Sequence, residues 1–221
     1  GSEIRATIPF LIEYFNLPET LWTNLIRSVS AYPTRAGRRV ETFSTFDGGA
    51  FQYFWPLLVS PEETLPKIKG ALENALLIFN DFFERKALAG FPTAASLPEG
   101  GYSGKLGIDF LKEAADSIDE TVSSVYGLAS AYRLNPAWVI SKIKEIEQAF
   151  PGLTAGPLGF YDSMRVTGGV SQNYYAVDQG SFLLGLLGTG AGDFQSFLER
   201  RNAWPAYRAH YENLGVNIPS A

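Results

Sequence analysis

At 221 residues, with 46% hydrophobic and 19% charged side chains, the chain has enough apolar material for a full core and the balance of an ordinary globular protein. A net charge of -5 argues against nucleic acid as a partner, because a polyanion is held by clustered Lys and Arg, and the local basic group Arg35, Arg38 and Arg39 reads as a solvated loop. With no cysteine and one histidine, His210, the chain has no disulfides, no thiolate or His-based metal site and no Cys or Ser-His-Asp nucleophile; no metal or other cofactor is expected, and catalysis falls to carboxylates or tyrosines.

No apolar run reaches the ~20 residues that span a bilayer, and the start lacks the basic and apolar regions of a secretory signal. Gly1-Ser2 reads as an expression remnant, so any native targeting segment is expected to have been removed. Aromatic residues make up 14% of the chain, including 11 Tyr and 4 Trp. Aromatics fill cores by default, but Tyr and Trp also stack on the apolar faces of sugar rings while offering a polar handle.

Pro18-Glu19-Thr20 is expected to open an amphipathic helix through Trp22, Leu25, Ile26 and Val29 that stops before Pro33. Gly48-Gly49 then precedes an apolar run over residues 50–59, a short buried helix. The start signal Ser60-Pro61-Glu62-Glu63 leads into the clearest helix, with Leu65, Ile68, Leu72, Leu76, Phe79 and Phe83 at helical spacing. Residues 90–107 are rich in Gly, Pro and Ser and form a long loop, of the kind that is usually functional. Ser117 or Asp119 caps a helix carrying Val122, Val125, Tyr126 and Leu128, and Asn135-Pro136 starts another with Val139, Ile143, Ile146 and Phe150, giving a helical hairpin. After a second loop over residues 151–169, apolar helices at 178–187 and 194–197 are separated by Gly188, Gly190 and Gly192. Strand signals are weak. The pattern is all-α: a single helical domain over 1–221, built as helical hairpins with long loops at one end, as in an α/α toroid, with a plain helical bundle as the alternative.

Three loop segments can carry chemistry. Asp47-Gly48-Gly49 sits at the first turn of a helix that also presents Gln52 and Trp55; the bland alternative makes Asp47 a cap and the aromatics core. The loop at 90–102 holds Glu99 and ends on Tyr102, and could wrap a ligand. In the third, Tyr161-Asp162 is followed by Tyr175 and by Asp178-Gln179, two Asp residues flanked by Tyr. Glycoside hydrolysis needs two carboxyl groups, one protonating the leaving oxygen and one acting on water or on the sugar carbon. A helix cap or hydrogen-bonded structural carboxylate remains the alternative for Asp178.

Taken in order, Asp47-Gly48-Gly49-Ala50-Phe51-Gln52-Tyr53-Phe54-Trp55-Pro56, the Gly90 to Tyr102 loop, Gly159-Phe160-Tyr161-Asp162 and Val177-Asp178-Gln179-Gly180 resemble the motifs of the glucoamylase-like family, which includes endo-β-1,2-glucanases and the toroidal domains of cyclic β-1,2-glucan synthases. The likeness runs from about Leu17 to Leu187, leaving residues 188–221 as a C-terminal helical extension. It implies an (α/α)6 toroid, of which this chain would be the C-terminal half, acting on a β-linked oligo- or polysaccharide in a periplasmic or secreted setting, and completed by a missing N-terminal half or a partner chain. By position it implies Asp178 and Asp162 as catalytic carboxylates, and Asp47, Gln52, Trp55, Glu99, Tyr102, Tyr161, Tyr175 and Gln179 as sugar-binding residues. The chain departs from the family at Gln52, which stands where Glu is common, and at Leu97, where an Asp is common. Gln keeps hydrogen bonding but neither donates nor accepts a proton as a carboxyl does. Besides a glycoside hydrolase, a non-catalytic carbohydrate-binding or polysaccharide-assembly module and a helical interaction scaffold are therefore carried forward.

Overall fold

The fold, given by a computed structural model, is described for residues 3–25, 27–215 and 218–219. The helices are α1 (Thr7–Phe15), α2 (Thr20–Thr23), α3 (Ala50–Phe54), α4 (Pro66–Lys86), α5 (Val125–Ala129), α6 (Pro136–Ala149), α7 (Ala176–Leu187), α8 (Gly190–Arg200) and α9 (Trp204–Glu212). Between them lie short strands: β1 (Val29–Pro33), β2 (Arg39–Phe43), β3 (Ala95–Ser96), β4 (Tyr102–Ser103), β5 (Val122–Ser123), β6 (Ser163–Arg165) and β7 (Val170–Ser171). Helices carry the core, and the strands pair antiparallel as β1-β2, β3-β4 and β5-β6-β7.

The long helix α4 is the hub. Pro66 starts it where a missing N–H costs nothing, Arg85 and Lys86 close it where cations suit the dipole, and Ala87 ends it in a left-handed conformation. Its buried stripe of Ile68, Leu72, Ala75, Phe79 and Phe82 meets α3 through Tyr53 and Phe54, whose rings both stand edge-on to Phe79 at 5.5 Å. Phe91 closes on Phe79 from the loop that follows, at 5.1 Å. Leu198 of α8 and Tyr207 and Tyr211 of α9 join the same core, so residues 188–215 are built into it.

Several expectations are corrected. The helix expected through Val29 ends at Thr23; Val29 instead begins β1, because Tyr32 and Val40 turn one face of the β1-β2 hairpin onto α4, where Tyr32 donates to Asp81 Oδ2 at 3.1 Å. Ile26, placed in the same segment, lies outside the described residues. Glu62, within the expected start signal, is fully buried, and Arg5 donates to both its carboxylate oxygens at 2.9–3.1 Å and to the carbonyls of Gln52 and Tyr53. The helix expected from residue 117 shrinks to α5, with Ser124 as the cap and Val122 in β5. Gly188 breaks α7 from α8, but Gly190 and Gly192 lie inside α8.

The packing that matters for function is α5 against α7. A Cβ on Gly185 would stand 2.5 Å from the Ala129 carbonyl oxygen, so only glycine allows the two backbones to meet. Gly185→Ala is expected to force them apart and cost about 1–3 kcal/mol, read as a fall in the urea midpoint followed by tryptophan fluorescence.

Candidate functional site around Asp178

Two strand registers and one helix start build the site. In the β3-β4 hairpin Ser96 pairs with Tyr102, which sets both side chains on one face. In β6-β7 Ser163 pairs with Ser171, with Asp162 just before β6. Asp178 stands in the first turn of α7, where the helix N-terminus favours a carboxyl group. These elements meet so that Asp162 accepts from the Ser96 N–H at 2.7 Å and hydroxyl at 2.6 Å, while Tyr102 donates to Asp178 Oδ1 at 3.3 Å.

Asp162 and Asp178 are each 1% exposed, and Asp162 Oδ1 and Asp178 Oδ2 are buried with no hydrogen-bond partner among the described residues. Burying two neighbouring carboxyl groups disfavours a second negative charge. Burial, and after it the neighbouring Asp162, pushes Asp178 up to about 8, and the Tyr102 hydroxyl opposes this only in part. Tyr102 and Tyr126 are raised as well, chiefly by burial and then by Asp178. Above the pair the Tyr102 and Tyr175 rings meet edge to face at 5.1 Å, and both are partly open to solvent.

The other candidates are distributed differently. Asp47 caps its own turn, Oδ1 accepting from the Gly49 N–H at 2.8 Å, and its N–H donates to Gln52 Oε1 at 3.3 Å. Gly48 and Gly49 leave room for the backbone of residues 106–108, which a Cβ on either would strike, and not for a ligand. Trp55 is half-buried with its ring 5.6 Å from Phe51. Glu99 is exposed and pairs with Arg165 at 2.5 Å. Gln179 donates to the Phe160 carbonyl at 3.2 Å, tying the loop before Asp162 to α7, and Tyr161 stacks obliquely on Tyr174 at 5.3 Å. The sequence reading missed Ser96, Ser171 and Tyr126. Tyr126, taken as a core residue of a helix, donates to the Ala94 carbonyl at 2.5 Å and meets the Thr93 hydroxyl at 3.0 Å, joining α5 to the loop that leads into β3.

No protein-family model and no curated protein sequence matches the chain. Solved structures do. An endo-β-1,2-glucanase from Talaromyces funiculosus, solved with β-1,2-glucan in a mutant form and with sophorose, superposes with a TM-score of 0.80 at 15% identity over 96% of this chain and 47% of its own. The fold matches about half of the helical toroid of that glucanase. An endo-β-1,2-glucanase from Chitinophaga pinensis, solved with sophorotriose and glucose, matches at 0.60 with 17% identity over 87% of this chain and 47% of its own. A Bacteroides caccae protein with a glucoamylase assignment matches at 0.56 with 21% identity over 81% and 45%. The chain thus spans about half the length of these structures.

The raised Asp178 makes stability depend on pH. Folded, it holds its proton up to about 8, whereas its ordinary value is 3.8, so between the two the folded form carries the extra proton. That contribution is complete below about pH 4 and is lost as pH rises toward 8. Asp178→Asn, uncharged throughout, is expected to melt above the wild type at about pH 8, the gap closing by about pH 4 in thermal scans.

Proposed function

We propose that this chain forms the sugar-handling half of a glycoside hydrolase toroid acting on a β-linked glucan, with Asp178 as the working carboxyl. The observation that carries the reading is a buried carboxyl held neutral beneath an open pair of tyrosines. A carboxyl protonated near neutral pH is what a general acid for a glycosidic oxygen requires, and the Tyr102 and Tyr175 rings offer a stacking surface for a pyranose. The glucanases that share the fold make a β-1,2-linked glucan the first substrate to test. Gln179 steadies the loop before Asp162 through the Phe160 carbonyl, while Asp47, Gln52, Trp55, Glu99 and Tyr161 are proposed as sugar contacts on the family likeness alone. The periplasmic or secreted setting is proposed on the same likeness.

Hydrolysis would need a second carboxyl opposite Asp178, and Asp47 is held by its own turn and Glu99 by Arg165. Carboxyl groups flanking a scissile bond stand roughly 5–5.5 Å apart in retaining and 6.5–9.5 Å apart in inverting enzymes. Asp162 neighbours Asp178 and its Oδ2 is already held by the Ser96 N–H and hydroxyl, so it is not the opposing carboxyl. A second reading, glycan binding without turnover, is favoured by Gln52, a neutral residue already used as an acceptor by the Asp47 N–H. Reducing-sugar release from a panel of β-glucans decides. Asp178→Asn in the intact protein is expected to lose about 10²–10⁴-fold of the activity. Equal activity in the two proteins would remove Asp178 from catalysis, and binding without release in the wild type would establish the second reading.

The completing half is proposed to lie on α7. That helix turns Asp178, Ser181 and Gly185 inward and Val177, Leu183, Leu184 and Leu187 outward, the inverse of an ordinary surface helix. The chain is expected to self-associate or bind a second helical half there, and Leu183→Lys with Leu187→Lys to abolish that association in size-exclusion chromatography with light scattering. A wild type that runs as a clean monomer counts against the seam.

A further inference from the structure

The hydroxyl cluster behind Asp162 has a direction. A serine hydroxyl carries one hydrogen, and that of Ser96 is committed to Asp162 Oδ2. The 2.7 Å contact between Ser96 Oγ and Ser171 Oγ must therefore run from Ser171 to Ser96. Ser171 has then spent its own hydrogen, and its oxygen accepts the Asn173 Nδ2 amide at 3.0 Å. Donation runs one way, from Asn173 to Ser171 to Ser96 to Asp162. Ser96 is held in place in turn, since its carbonyl accepts from the Ser163 hydroxyl and its N–H is the second donor to Asp162 Oδ2. The backbone does the same for Asp162, whose N–H donates to the Asn173 carbonyl at 3.1 Å.

An oxygen that accepts two such bonds has no need of a proton, and its carboxyl group is favoured in the charged form. Asp162 Oδ1 and Asp178 Oδ2 are both buried with no hydrogen-bond partner among the described residues, so each is open to a proton shared with the other. The remaining titratable groups facing Asp178 are Tyr102 and Tyr126, and neither can supply a charge that would reverse the assignment. Asp178 has no serine clamp; its Oδ1 accepts only from Tyr102, at 3.3 Å.

We infer that Ser96 and Ser171, backed by Asn173, are positioning residues that hold Asp162 as the charged member of the pair and place the single shared proton on Asp178 Oδ2, directed at Asp162 Oδ1. Asp162 is then the partner that keeps Asp178 loaded. The functional meaning rests on Asp178 being the working carboxyl; the proton assignment does not, and its test contains no glycan.

Carboxyl ¹³C NMR of aspartate-labelled intact protein at about pH 6, below the raised value for Asp178, tests it, with Asp162→Asn and Asp178→Asn providing assignments. The expected spectrum has Asp178 at a protonated and Asp162 at an ionised shift. Ser96→Ala is expected to draw the two resonances toward each other, Ser171→Ala to do so less, and Ser96→Thr, which keeps the hydroxyl, to restore the wild-type pattern. In Asp162→Asn the Asp178 titration is expected to move acidward of about 8. A wild-type spectrum with Asp162 protonated, or with both groups ionised, overturns the inference even if the serine variants fail to fold. So does a folded Ser96→Ala whose two resonances stay where they were. Absence of glucan binding would instead remove the proposed function and leave the assignment of the proton standing.

Discussion

The site turns on one constraint: two carboxyl groups, Asp162 and Asp178, are buried in contact, and such a pair can hold only one negative charge at modest cost. Everything around them serves that contact. The β3-β4 register sets Ser96 and Tyr102 side by side, so that one hairpin supplies a donor to each acid. The glycine at 185 lets α7, which carries Asp178, lie directly on the backbone of α5. Gln179 ties the loop carrying Asp162 back onto the helix carrying Asp178. Loosen any of these and the burial that chiefly raises Asp178 is weakened.

How much of this was legible depended on whether a local signal sufficed. The stripe from Ile68 to Phe83 marked α4 because a buried helix face repeats within the helix itself, and Asn135-Pro136 marked α6 because caps are local too. Val29 was misread because Val fits either a helix face or a strand, and the choice was made by Tyr32 and Val40 packing on α4, a contact distant in sequence. Glu62 looked like part of a helix start, but its partner Arg5 lies 57 residues away. At the site, Asp162 and Asp178 were found through their motifs and flanking tyrosines. Ser96, Ser171 and Tyr126 were not, since a serine in a glycine-rich loop or a tyrosine on an apolar helix announces nothing until the register is known.

The inverted character of α7 connects the site to the architecture. A helix ordinarily buries its leucines and exposes its polar residues, and here the reverse holds because the inward face has to accommodate an acid, a serine and a glycine against α5. Phe182 packs α7 onto the core, while Leu183, Leu184 and Leu187 stay exposed. Under the proposed reading, a second helical half that covers them would add apolar burial to the helix that carries Asp178.

Such a second half bears on the opposing carboxyl. Glu99 is tied to Arg165 at the rim and Asp47 to its own turn, while Gln52 is neutral, so no acid among these candidates is set up to face Asp178 across a glycosidic bond. A hydrolase built on this half would have to draw that acid from the surface that docks on α7 or from beside it. Covering the leucines and supplying the opposing carboxyl then become one event, because both require a second body at the same helix. A binding module needs only the first of these, and that is the physical difference between the two readings: the tyrosine pair and the loaded Asp178 serve either, and the chemistry of whatever covers α7 separates them.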